Sequence, residues 1–117
     1  MHVEVRKSGD VVIVDLKGKL TAGLGDQILR ETIDELLGER WAGILVNLTD
    51  LTFMDSAGIG ELVAGFRTAK RFGTPLKLLN ANDRVRSTLY TARLLPIFEI
   101  FTDEPEALAS FGKPALE

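Results

Sequence analysis

Apolar and polar residues alternate at the start of the chain. Val3 and Val5, then Val11 and Ile13, flank Ser8-Gly9-Asp10, and period-two patterning around a polar triplet predicts a β-hairpin. The second strand continues through Val14 and Leu16 to Gly18. The period then changes. Leu24, Ile28, Leu29, Ile33, Leu36 and Leu37 recur at helical spacing, entered through a loop over 19–26 and stopped at Gly38. Trp41-Ala42-Gly43 leads into Ile44-Leu45-Val46-Asn47-Leu48, a short apolar run of strand type. Ile59, Leu62, Val63, Phe66 and Ala69 share one face of a helix predicted over 56–72, ended by Gly73 and Pro75. Leu76, Leu78 and Leu79 predict another strand, and Asn80-Ala81-Asn82-Asp83 a turn with good helix-capping side chains. Val85, Leu89 and Ala92 give a third helical face, broken by Pro96. Ile97, Phe98, Ile100 and Phe101 read as a last strand. Thr102 or Asp103 then caps a closing helix with Pro105 near its start, and the tail Gly112-Lys113-Pro114 is expected to fray.

The order strand, strand, helix, strand, helix, strand, helix, strand, helix predicts an α/β fold. A single domain over 1–117 holds a mixed β-sheet, with an N-terminal hairpin and then parallel strands, and about four α-helices. The 117 residues are 45% hydrophobic, enough to bury a real core without staples. Composition removes whole classes of function. With no cysteine, disulfides, thiol catalysis and cysteine-ligated metals are excluded. A formal charge of −3 offers no footprint for nucleic acid. The N-terminus is charged and alternating, unlike a signal peptide, and no apolar run approaches the roughly 20 residues of a membrane helix. The expectation is a small soluble cytoplasmic domain that binds neither membrane nor nucleic acid.

Catalytic patterns fail residue by residue. The only histidine is His2, at the terminus, so neither a Ser-His-Asp triad nor a histidine metal site can be built. Ser56 follows Met54-Asp55, so the Gly-x-Ser-x-Gly elbow is absent. The carboxylates are scattered over helix surfaces, where solvated charge is the ordinary state. Gly58-Ile59-Gly60 and Gly23-Leu24-Gly25 each begin a dinucleotide fingerprint, but Val63 and Ile28 stand where the third glycine belongs, so close helix–strand packing explains both pairs better. No enzyme activity, metal or cofactor is expected. What remains is the handover from strand to helix at Phe53-Met54-Asp55-Ser56-Ala57-Gly58-Ile59-Gly60. Asp55 and Ser56 can both cap the helix, which presents a serine hydroxyl at its positive end. Such a place suits an anion, or a phosphate on the serine itself.

Leu48-Thr49-Asp50-Leu51-Thr52-Phe53-Met54-Asp55-Ser56-Ala57-Gly58-Ile59-Gly60 resembles the signature of the STAS domain, shared by sulfate transporters and anti-sigma factor antagonists. The resemblance extends through the hairpin, the Gly18-x-Leu20 step, Gly73-x-Pro75-Leu76 and Leu94-Leu95-x-Ile97-Phe98. The length is similar to the free-standing bacterial antagonists. Family members often place an aspartate just after Gly-x-Leu, where this chain has Thr21, and a second serine after the first, where it has Ala57. Asp55 is thus the obvious local carboxylate and Ser56 the single obvious acceptor.

The resemblance implies a partner switch. An unphosphorylated antagonist binds an anti-sigma factor, often itself a serine protein kinase, and so frees a sigma factor for transcription. Phosphorylation at Ser56 would block this and a phosphatase would reverse it. The partner surface is expected around Asp50, Phe53, Met54, Asp55, Ser56, Ala57, Gly58 and Ile59, with Thr21 and Gly23 from the loop on the same edge of the sheet; for Phe53 and Met54 core packing is the ordinary alternative, since large apolar residues are usually inside. Two other readings stand beside it. One is a STAS scaffold or accessory subunit of a signalling or lipid-transport complex without phospho-switching. The other is a small-molecule or nucleotide binder. The oligomeric state is left open.

Overall fold

The computed structural model describes residues 1–111. The elements are β1 (His2–Ser8), β2 (Val11–Leu20), α1 (Gly25–Gly38), β3 (Gly43–Met54), α2 (Ser56–Arg71), β4 (Leu76–Leu79), α3 (Asp83–Thr91), a single 3₁₀ turn (Leu95–Ile97), β5 (Ile100–Phe101) and α4 (Glu104–Phe111). The five strands lie in chain order, β1-β2-β3-β4-β5. β1 is antiparallel to β2 across the turn at Gly9-Asp10, and β2, β3, β4 and β5 are mutually parallel. This is the mixed sheet that the alternation predicts, with four helices among the described residues. The tail from Gly112, expected to fray, lies outside the described residues.

The helices divide unevenly. Val12, Val14, Leu16, Ile44, Val46, Leu48 and Leu78 face a core shared with Leu29, Ile33, Leu36 and Leu37 of α1, Leu62 and Ala69 of α2, and Val85 and Leu89 of α3. Among the described residues, the opposite face packs Val11, Ile13, Leu45 and Leu79 against one helix, through Ala107 and Leu108 of α4. A strand covered on both faces loses the alternating pattern, which is why 11–16 is buried without a break. Beside the start of α4 the second face turns polar. Asp15 accepts from Arg6 at 2.6 and 2.9 Å and from Asn47 at 2.8 Å, and Arg6 also donates to Glu104, tying β1 and β2 to the start of α4.

Four expectations need correction. β3 runs on to Met54 rather than ending at Leu48. Asp15 to Lys17 on β2 spans Asn47 to Asp50 on β3, and Gly18 to Lys19 spans Leu51 to Phe53, so β3 holds two extra residues. Such bulges shift which side chains point inward, and Leu48, Leu51 and Met54 are buried at a three-residue spacing that does not read as a strand. Second, the last strand is only Ile100–Phe101, because Pro96 sits inside the 3₁₀ turn and Ile97 belongs to it. Third, Leu24 lies outside the apolar stripe of α1 and is 65% exposed. Fourth, Ala92 is an exposed C-cap rather than part of the buried face of α3.

Candidate functional site

The parallel strands β2, β3 and β4 end on one edge of the sheet, and α1, α2 and α3 begin there. At its centre Asp55 has extended backbone, the usual N-cap conformation, and its Oδ1 accepts from the Gly58 N–H at 2.8 Å. Its Oδ2 accepts from the Ala22 N–H at 3.0 Å. The Asp55 N–H donates in turn to the Leu20 carbonyl at 3.2 Å. The Ala22 and Gly58 N–H groups hold the Asp55 carboxyl below the usual carboxylate range, because both bonds favour the charged form and outweigh the small cost of desolvation.

Two glycines let this edge close up. A Cβ at Gly58 would overlap the Leu20 carbonyl oxygen and stand 2.9 Å from that residue's carbonyl carbon and Cγ. A Cβ at Gly25 would press on the Lys19 oxygen at 3.0 Å. The starts of α1 and α2 are therefore seated on the last residues of β2. Gly60 and Gly23 have open space where a Cβ would go, and Gly23 is left-handed at φ +101°. Gly58 and Gly25 thus serve close helix–strand packing, the role expected of both glycine pairs.

Ser56, the first residue of α2, is exposed, and so are Asp50, Phe53 and Gly23; Thr21, Asp55, Ala57 and Ile59 are half-buried. Met54 is a correction: with 3% of its surface accessible it packs in the core with Leu51 and Leu48, because the second bulge turns it inward and Phe53 outward. Gly58 is likewise buried against Leu20 and offers a partner no surface. Sequence reasoning missed two features of this edge. Leu24, read as core, stands exposed in the β2–α1 loop. Ile59 lines a shallow groove of about 330 Å³ with Ser87, Thr88 and Thr91 of α3 and its C-cap Ala92, residues not named in the expected surface. The start of α3 is fixed by Asn82, whose Oδ1 caps Val85 while its Nδ2 donates to the Leu51 carbonyl at 2.7 Å. The capping turn at 80–83 was the available signal.

The profile of the STAS domain matches residues 2–107. The chain belongs to the STAS domain family. It is 28% identical over 109 residues to the anti-sigma F factor antagonist of Paenibacillus polymyxa, covering 92% of each protein. It is 31% identical over 85 residues to the anti-sigma-B factor antagonist of Bacillus subtilis, covering 73% of this chain and 76% of that one. Among solved structures, the anti-sigma factor antagonist SpoIIAA in its unphosphorylated form superposes with a TM-score of 0.79 at 23% identity, covering 93% of this chain and 95% of that one. The phosphorylated form of Bacillus SpoIIAA gives 0.73 at 22% identity, covering 93% and 98%. Members of this STAS family are regulatory rather than catalytic. Among the described residues no helix is long and apolar enough to cross a membrane, and no three histidine, aspartate or glutamate side chains gather as a metal site.

Proposed function

We propose that the chain is an anti-sigma factor antagonist in a partner switch controlled at Ser56. The unmodified form binds an anti-sigma factor that is also a serine kinase, and a sigma factor is released. The kinase transfers the γ-phosphoryl group of ATP to the Ser56 oxygen, with loss of ADP and the hydroxyl proton, and a phosphatase removes it. The observation that supports this most is the position of Ser56: an exposed residue at the first position of α2, next to Asp55, which bonds to the exposed Ala22 of the β2–α1 loop. The contact surface proposed is Thr21, Gly23, Asp50, Phe53, Asp55, Ser56, Ala57 and Ile59.

The physics of the switch is local. Phosphorylation adds about −1.5 to −2 charges at pH 7. The helix N-terminus favours an anion by roughly 0.3–1 kcal/mol, but Asp55 already occupies that end and repels a second one. The fold tolerates the change, since Ser56 is outside the core. The cost falls on the partner, which must accommodate a hydrated dianion where it met a hydroxyl. Each 1.4 kcal/mol lost is about tenfold in affinity. Titration calorimetry with the cognate anti-sigma factor tests the proposal. Ser56→Ala is expected to bind as wild type and to resist phosphorylation, and Ser56→Asp to bind about tenfold or more weakly. Equal affinity for all three would leave the scaffold reading in its place.

A further inference from the structure

The Asp55 carboxylate is shared between two elements. One oxygen serves Gly58, three residues ahead in its own helix, and the other serves Ala22, 33 residues back in the β2–α1 loop. That loop has little else to hold it. Ala22, Gly23 and Leu24 are exposed, Gly23 is left-handed, and Leu24 makes no side-chain bond at the start of α1. Its other backbone bonds, Asp26 N–H to the Thr21 carbonyl at 3.1 Å and Ile28 N–H to the Leu24 carbonyl at 2.9 Å, turn inward on α1. Among the described residues, the hydrogen bond from the loop to α2 is therefore the Ala22 bond.

We propose that Asp55 is a clasp holding the 21–24 loop to the start of α2, and that a phosphate on Ser56 opens it. The proposal rests on the reading that Ser56 is phosphorylated. A phosphate there stands beside the carboxylate, repels it, and competes for the same donors at the helix start. The bond to Gly58 is the shorter of the two and is backed by the other N–H groups of the first turn. The bond to Ala22 is longer and joins an exposed segment, so the loss falls on it. The opened population of the loop rises about tenfold, the scale of one extra unit or two of charge a few ångströms away in a water-like medium. Leu24 moves with the loop. The surface offered to a partner thus changes in shape as well as in charge, while the core stays as it was.

Amide NMR of the full chain tests this, comparing wild type, a chain with phosphoserine incorporated at position 56 during translation, and Asp55→Asn. An amide bonded to a carboxylate follows that group's titration. In wild type, the Ala22 and Gly58 amides are expected to titrate together, with one midpoint below the usual aspartate range. An asparagine has a single acceptor oxygen, so Asp55→Asn keeps the cap on Gly58 and turns a donor toward Ala22. Ala22 should shift strongly in that variant and Gly58 little. The phosphoserine chain should move Ala22 toward its position in Asp55→Asn. An Ala22 amide that ignores the Asp55 titration, or that keeps its wild-type position in the phosphoserine chain, overturns the clasp. The two ideas fail separately. Loss of the anti-sigma partner with Ala22 unmoved sinks the clasp alone; an opened clasp with undiminished partner binding sinks the switch alone.

Discussion

Gly58 and Gly60 lie two residues apart in α2, and alanine at each should change stability in opposite directions. At Gly58 the added methyl would overlap the backbone oxygen of Leu20 and crowd its carbonyl carbon and Cγ at 2.9 Å. A backbone oxygen has no rotamer to move to, so the start of α2 must lift from the end of β2. Overpacking of this kind costs up to about 3 kcal/mol. Alanine returns about 1 kcal/mol as the better helix former, leaving a net loss of about 2 kcal/mol. At Gly60 nothing lies within 4 Å of the new methyl, so only the propensity term operates and alanine should stabilise by up to about 1 kcal/mol. For a chain of 117 residues each kcal/mol shifts Tm by about 4 °C. Gly58→Ala should therefore melt about 8 °C lower than wild type and Gly60→Ala about 4 °C higher. Urea titration should show the same order in the midpoints with little change in slope. A Gly58→Ala chain as stable as wild type would mean that the helix start is not seated on Leu20, and the account of the site's geometry would fall with it.

Other consequences are as direct. Leu51→Ala should cost about 2–5 kcal/mol, because the bulged register buries Leu51 completely. Thr52→Ala, at an exposed position whose hydroxyl donates to the Gly18 carbonyl, should cost about 1 kcal/mol or less in the same urea assay. The Arg6 pair and the Asn47 amide hold the Asp15 carboxyl below its ordinary value, against an opposing desolvation. A lowered folded pKa contributes stability that is present above the unfolded value, near pH 4, and is lost as pH falls through the folded one. Melting temperatures measured from pH 6 downward should fall more steeply below about pH 4 in wild type than in Asp15→Asn. The variant itself should be about 1–2 kcal/mol less stable at pH 7, a range reduced because Arg6 is partly exposed. A parallel pH dependence in both chains would remove Asp15 as the source.

What the sequence discloses follows from how local each cause is. α2 is legible at both ends because its signals are neighbours in the chain: Asp55 as cap, the stripe of Leu62 and Ala69, and the left-handed Gly73 that ends it. The close-packing glycine Gly58 is legible as an oddity in a helix, though not the oxygen it makes room for. The second half of β3 is hidden, since each bulge resets the inward face, so that neither alternation nor a continuous apolar run marks it as a strand. β5 is overread because Ile97 and Phe98 are apolar for the sake of the core, not of a strand. The bond from Asp55 to Ala22 cannot be read at all, for it depends on the ends of two strands meeting across 33 residues. The same holds for the exposure of Leu24, which has the right spacing for the stripe of α1 but precedes the first turn of that helix.

The strand order β1-β2-β3-β4-β5 has a consequence for how the chain is made. Each strand pairs only with those before and after it in sequence, and none has to be threaded between two already in place. Synthesis proceeds from the N-terminus at about 5–20 residues per second. The hairpin of β1 and β2 can therefore form first, and every later strand adds on the side away from β1 as it leaves the ribosome. The serine helix emerges onto a sheet edge that already exists. The second face stays bare until α4, the last described element, has been made.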